Sequence, residues 1–409
     1  MSREYDAIVV GARCAGSPTA MLLARSGHRV LLVDRATFPS DTMSTHLIHV
    51  TGVAALKRWG LLNELEATDP PPIARYSYDF GPFQISGSPR PCDGVADALC
   101  PRRTVLDDLL VGAAVTAGAE LREAFTVDEL LIEDGVVAGV RGHARGGVSL
   151  TERARVVIGA DGKNSFVAKT VRAQQYNEMP ALEAGYYAYW SGLPTGGAEF
   201  YARGEDGRVW GALPTHDGLT CVVVGWPRAQ FEANRKEYER HYMKALDLAP
   251  EFAERVRGAT RETRFTGTAD LAGFFRKPYG PGWALVGDAG YHKDPITALG
   301  ISDAFRDAEG VSAALDDALA GRRSYDDAMG AFQKARDEAS FALYDFTCEF
   351  AKIEPPAPEM QQLLGAVSLS REASDDFVSV MAGTLALPAF FEPDNVARIM
   401  HEASQAAPG

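Results

Sequence analysis

Residues Tyr5 to Arg35 constrain this chain more than any other stretch. The segment YDAIVVGARCAGSPTAMLLARSGHRVLLVDR opens on a short apolar run and turns through Gly11-Ala12-Arg13-Cys14-Ala15-Gly16. It continues in a helical pattern and ends in a second apolar run closed by Asp34. Strand, turn, helix and strand in that order make one β-α-β unit. A parallel strand feeding a helix aims the helix's unpaired N–H groups and its positive dipole end at the turn, where a pyrophosphate is the natural occupant.

Each residue type in the turn has a physical reason. Gly11 permits the tight departure from the strand, and Gly16 lets the helix lie close to the sheet. Arg13 sits where a third glycine is usual, so its side chain must turn outward or lie along the anion; Cys14 and Ala15 complete the turn. Asp34 follows Gly11 by 23 positions, the spacing at which a carboxylate accepts hydrogen bonds from an adenosine ribose and repels a 2′-phosphate. Arg35 stands next to it at the same strand end.

The chain has 409 residues, enough for two or three domains. A net charge of −14 argues against nucleic acid or an anionic membrane surface as a partner. No apolar run is long enough to span a bilayer, and the first strand begins too early to leave room for a signal peptide. Five cysteines, Cys14, Cys92, Cys100, Cys221 and Cys348, form no CxxC pair and cluster with no histidine. They read as reduced thiols of a cytoplasmic protein, with no disulfide frame and no metal.

Beyond Asp34 comes a polar loop to His46, then a helical stretch near Val50 to Leu62 and short strands within 76–97. A second helix follows Arg102-Arg103-Thr104, and a hairpin turns at Asp134-Gly135. RVVIGADG, residues 155–162, is a buried-type strand ending in Asp161-Gly162. Between 183 and 226 four strand-like runs suit an antiparallel sheet, whose Tyr187, Tyr189, Trp190, Tyr201 and Trp210 are candidates for a pocket wall. A charged helix is expected over 228–247 and a strand in ETRFTGTADL. Residues 324–404 read as mostly helical, broken at Pro355 to Pro358, a terminal cap or an oligomer contact without recognisable chemistry.

The turn at Gly11 and Asp34 fit NAD and FAD alike. A second signature separates them: a remote apolar strand ends in Gly287-Asp288 and runs through Pro295 and Gly300-Ile301-Ser302 into a helix. With Ala160-Asp161-Gly162 between them, these motifs resemble the FAD-dependent monooxygenase superfamily of the para-hydroxybenzoate hydroxylase fold, which also holds geranylgeranyl reductases and flavin-dependent halogenases. The resemblance covers roughly residues 5 to 310. It implies an α/β fold in which a Rossmann-type FAD-binding domain (1–75, 98–178 and 268–320) is interleaved with an antiparallel substrate sheet (76–97 and 179–267), followed by a helical region (321–409).

The resemblance further implies that Asp288 accepts hydrogen bonds from the ribityl chain of FAD, with Gly287 giving the approach room. Gly300 and Ile301 would bring a helix N-terminus to the pyrimidine end of the flavin, after the turn at Pro295. Arg103, four residues before Asp107, would contact the FAD phosphate or ribityl region, with Arg102 as its near rival, and Asp161 would support FAD and the approach of NAD(P)H. The activity so implied is hydroxylation of an aromatic or polyketide-like small molecule by NADH or NADPH and O2, through a flavin C4a-hydroperoxide. His46, His292 and Tyr291 are the candidates for a general base. Reduction of a C=C bond, as in geranylgeranyl reductases, is the alternative. Halogenation is disfavoured because Val209-Trp210-Gly211-Ala212-Leu213-Pro214 departs from the WxWxIP stretch of flavin halogenases. Non-catalytic flavin binding is the remaining reading, and monomer and homodimer are both open.

Overall fold

The computed structural model describes residues 4–406 except 145. Its opening unit is strand Tyr5–Val10, helix Gly16–Arg25 and strand Val30–Val33. These strands are apolar at nearly every position because both sheet faces are covered. Ala7, Val9 and Leu32 pack beneath helices that include Gly16–Arg25, Arg103–Thr116 and Gly300–Leu319. Ile8, Val10, Leu31 and Val33 point the other way, onto Phe125, Leu130 and Val140 of the hairpin Phe125–Glu133 and Val136–Ala144.

The parallel strands of the sheet run in the order Trp283–Leu285, Ser149–Gly159, Tyr5–Val10, Val30–Val33, Glu120–Arg122, with Tyr279–Gly280 added antiparallel at the first edge. Its register sets Val10 beside Val33 and Gly159, and Gly159 beside Leu285. The chain therefore leaves these four strands at one edge. Gly11, Asp34, Ala160-Asp161 and Gly287-Asp288 emerge together there, although they are remote in sequence. Ligands of parallel α/β sheets bind at this carboxyl edge.

A second sheet is built from Glu183–Ser191, Leu219–Pro227, Arg208–Pro214 and Ala198–Arg203 in antiparallel succession. Strand Tyr76–Asp79 adds parallel to Ala198–Arg203, and Gln84–Gly87 closes that side. Side chains alternate faces along each strand. Trp190, Tyr201, Trp210 and Trp226 lie under the helices Tyr238–Leu246 and Pro250–Arg257. Tyr187, Tyr189, Leu213 and Cys221 lie on the opposite face, in one core with Leu363, Phe377, Val378 and Phe390 of the C-terminal helices. The C-terminal region thus caps the second sheet.

Two local expectations need correction, and one element was not expected. The charged stretch after 228 is broken into Phe231–Asn234 and Tyr238–Leu246, and Pro250 starts a separate helix at a position that suits its missing N–H. ETRFTGTADL contributes only the short strand Thr266–Thr268, and Thr260–Arg261 just before it forms another; both pair with Glu183–Ser191. A small third sheet of Gln175–Met179, Gly273–Arg276 and Tyr291–His292 had no sequence signal strong enough to announce it. All five cysteines are free. Among the described residues no helix is long and apolar enough to cross a membrane.

Candidate active site

The shared carboxyl edge opens into a cleft of about 1050 Å³, at the top of the range for small-molecule sites. Three glycines make it possible. A Cβ on Gly11 (φ +105°) would lie 2.5 Å from the Ala160 carbonyl oxygen, and one on Gly16 would lie 1.7 Å from the Gly11 carbonyl oxygen. A Cβ on Gly287 (φ +60°) would lie 2.6 Å from the Cβ of Ala15. The loop carrying Asp288 therefore packs directly on the opening turn. Helix Gly16–Arg25 starts with no side-chain cap and no acid in its first turn, leaving its N–H groups for an anion in the cleft.

Around this turn the polar groups are tightly ordered. Asp34 Oδ2 accepts the Ala12 N–H at 2.7 Å and Oδ1 accepts the Ala36 N–H at 2.8 Å. Its remaining lone pairs are available to ribose hydroxyls. Arg13 reaches past the turn: it donates to Asp107 at 2.5 Å and to Ser40 Oγ at 2.9 Å, with its guanidinium over the Phe38 ring. Arg103 forks onto the same carboxylate at 3.0 and 3.1 Å, and the Cys14 thiol donates to it at 3.4 Å. Asp107 is fully buried. Burial pushes the Cys14 thiol up, so it stays protonated. Arg35 and Asp288 are exposed within the cleft.

Asp161 lines the cleft at the end of the strand Ser149–Gly159. Its Oδ1 accepts from Ser165 Oγ at 2.5 Å and its Oδ2 accepts from the Phe166 and Val167 N–H groups at 2.6 and 3.2 Å. The carboxylate is thus tied to the N-terminus of helix Phe166–Thr170 and fixes the loop that starts there. At the other end of the cleft, Pro295 begins a single turn to Thr297 and helix Gly300–Leu319 starts without a side-chain cap. Gly300 and Ile301 both line the cleft there.

The candidate bases are placed in three separate settings. His46 is fully buried, has φ +63°, and bonds through Nε2 to the Tyr189 hydroxyl. Tyr291 lines the cleft with its ring buried against Phe275 and Tyr344, and burial raises its hydroxyl well above the ordinary range. His292 lines the cleft, with Nδ1 2.7 Å from the Ala272 carbonyl oxygen. The aromatic candidates also divide. Tyr187 lines the cleft, whereas Tyr189 sits behind it between His46 and the Arg102 guanidinium, 4.0 Å from its ring centre. Trp210 borders a smaller cavity, but its ring stacks on Tyr201 and packs tilted against Phe252 on the far side of the sheet. Strand alternation makes it a packing residue.

The buried histidines carry a pH dependence. Burial, then the Arg103 and Arg102 charges, pushes His46 down to about 3; burial pushes His49 down to about 4 against its bond to the Thr297 carbonyl. In the unfolded chain both protonate below about pH 6.5. Their stabilising contribution is thus complete above that pH and is lost as pH falls toward 4, at about 1.4 kcal/mol per pH unit per residue around pH 5. His46→Gln should remove one share of that slope in urea unfolding between pH 4.5 and 6, and an unchanged slope would contradict this.

The smaller cavity, about 60 Å³, is an apolar annex walled by Tyr78, Phe80, Phe200, Leu213, Val223 and Phe350. It meets the cleft at Thr45, Glu183, Pro295 and Ala298, which line both. Tyr201 and Trp210, two of the aromatic candidates from sequence, border it as well; Tyr78, Phe80, Phe200 and Phe350 come from remote segments with no shared spacing and were not singled out. Phe350 also gives the C-terminal region a place at the site that its sequence did not announce.

The FAD binding domain family matches residues 4–347. Over 317 residues the chain is 30% identical to a digeranylgeranylglycerophospholipid reductase of Methanocella arvoryzae, covering 74% of this chain and 75% of the relative. Over 323 residues it is 28% identical to a 6-methylpretetramide 4-monooxygenase of Streptomyces rimosus, covering 74% and 73%. In fold it is similar to the solved myxobacterial chondrochloren halogenase CndH, with a TM-score of 0.79 at 24% identity over 100% of this chain and 98% of that one. The chain belongs to the FAD binding domain family, within the FAD-dependent monooxygenase superfamily, and is a FAD-dependent oxidoreductase.

Proposed function

We propose that this oxidoreductase is a monooxygenase that hydroxylates a compact aromatic or polyketide-like molecule, using NADH or NADPH and O2. The observation that carries this reading is the aromatic-walled annex joined to the cleft beside Pro295 and Ala298. The cleft residues fit FAD: the glycine turn and the uncapped helix for its phosphates, Asp34 for a ribose, Asp288 for the ribityl chain, and the Gly300 helix end for the flavin. When bound, FAD supplies a centre that takes electrons from NAD(P)H and activates O2.

What the chain's own residues do follows from their chemistry. The N–H groups and dipole of helix Gly300–Leu319 favour negative charge at the cleft's far end. The apolar annex excludes water from the place where a substrate ring would project out of the cleft mouth. Reduction of a C=C bond is the competing activity, favoured by the 30% identity to the archaeal reductase. The aromatic wall of the annex favours a flat ring over a flexible isoprenoid chain.

Incubating holoenzyme with NAD(P)H, O2 and candidate polyphenols or polyketides, and weighing the products, tests the reading. A product heavier by one oxygen is expected. A product heavier by two hydrogens would replace hydroxylation with reduction, and one carrying a halogen in halide buffer would replace it with halogenation.

A further inference from the structure

Two carboxyl groups meet where the cleft joins the annex. Glu183 opens the strand Glu183–Ser191 and lines both cavities, and Asp294 precedes the Pro295 turn and lines the cleft. They are only 5% and 6% exposed. Room for the Glu183 carboxyl exists because the neighbouring strand has glycine at 225, where a Cβ would come within 1.8 Å of Oε1. Asp294 Oδ1 accepts the Ile296 N–H at 3.0 Å. Glu183 Oε2 and Asp294 Oδ2 are buried with no partner among the described residues unless one of the two carboxyls carries a proton and donates it to the other.

Among the described residues no lysine or arginine pairs with either carboxyl. Lys293, next in sequence to Asp294, is held by Asp303 at 2.6 Å. The titratable groups facing Asp294 are Glu183, His292 and Cys348, and Nδ1 of His292 is engaged with the Ala272 carbonyl. Two buried carboxyls in contact cannot both ionise. Burial first, then the neighbouring carboxyl, drives Glu183 well above the carboxylate range, and burial also raises Asp294.

We propose that Glu183 and Asp294 share one proton and together bind and deprotonate a phenolic or enolic hydroxyl of the substrate. This rests on the monooxygenase reading above. The protonated member donates to the substrate oxygen while the ionised member accepts the hydroxyl proton. Transfer of that proton breaks the substrate O–H bond and forms a carboxyl O–H bond. The pair then holds two protons, and the single negative charge has moved to the substrate oxygen, where it raises the electron density of the ring or enol carbon to be hydroxylated. Return of the proton to that oxygen in the product restores the pair. His46, bonded to Tyr189, and Tyr291, buried in its aromatic cluster, leave this task to the carboxyls.

The test compares wild-type holoenzyme with Glu183→Gln and Asp294→Asn, using 1-naphthol and 1-methoxynaphthalene as probes and perturbation of the flavin absorption spectrum as the binding signal. The wild type should bind the naphthol in preference to its methyl ether. That preference should fall about 10- to 100-fold in each variant, the loss of a hydrogen bond to a charged group. In the infrared difference spectrum at pH 7, Glu183→Gln should lose a protonated-carboxyl carbonyl band. Equal binding of naphthol and ether by the wild type, an unchanged preference in Glu183→Gln, or no protonated carboxyl in the wild type would each overturn the pair's role. These results do not depend on product mass, which alone decides between oxygenation, reduction and halogenation.

Discussion

Gly11→Val should give a protein that retains no FAD and unfolds at markedly lower denaturant. The new side chain meets two independent obstacles. At φ +105° a β-branched residue is strained by about 1–3 kcal/mol. Its Cβ would also be forced to 2.5 Å from the Ala160 carbonyl, which is backbone of the neighbouring strand loop and cannot rotate away. Overpacking of that kind costs about 1–3 kcal/mol more. The sum is a large share of the roughly 5–15 kcal/mol that stabilises an ordinary domain. Any relief comes from moving the opening turn, which is where the phosphates would lie. FAD content and the urea midpoint should therefore fall together, and a variant with normal flavin content would show that the turn does not approach the cofactor.

Asp107→Ala carries the second large effect. Asp107 is fully buried and accepts from Arg13, Arg103 and the Cys14 thiol. Removing it leaves Arg103, 7% exposed, without its carboxylate, and stranding one partner of a buried ion pair costs about 3–5 kcal/mol. Glu129→Ala is the control: its pair with Arg141 is about half exposed on both sides, and such surface pairs contribute about 0–1 kcal/mol. Urea unfolding of the two variants should separate them clearly. Equal midpoints would mean that the buried cluster contributes no more than a surface pair.

Much of the architecture was legible because it rests on local rules. The apolar runs at Tyr5–Val10 and Val30–Val33 with a glycine turn between them can form little besides a parallel unit with a covered sheet. Gly287-Asp288 after a short apolar strand belongs beside that turn, and the contact of Gly287 with Ala15 is where the two meet. The site was less legible wherever the outcome depended on which face a strand buries. Aromatic residues were read in Glu183–Pro227 without the phase of the alternation, so Trp210 was grouped with Tyr187 although their side chains point to opposite sides of the sheet. Asp161 was read for its motif, but the N-terminus of the helix that follows claims both of its oxygens. Glu183 and Asp294 stood out in no pattern, because what sets them apart is the glycine opposite and their shared burial. Only the three-dimensional packing brings those together.

The account depends on a single cleft, formed by the Gly11–Gly16 turn and the loops after Leu285, holding one FAD. The most direct measurement is the amount of flavin that acid releases from purified protein, identified as FAD by chromatography and divided by the chain concentration. One FAD per chain, either as purified or after reconstitution, is the predicted result. A chain that folds with the expected cooperativity yet neither carries FAD nor takes it up would contradict it.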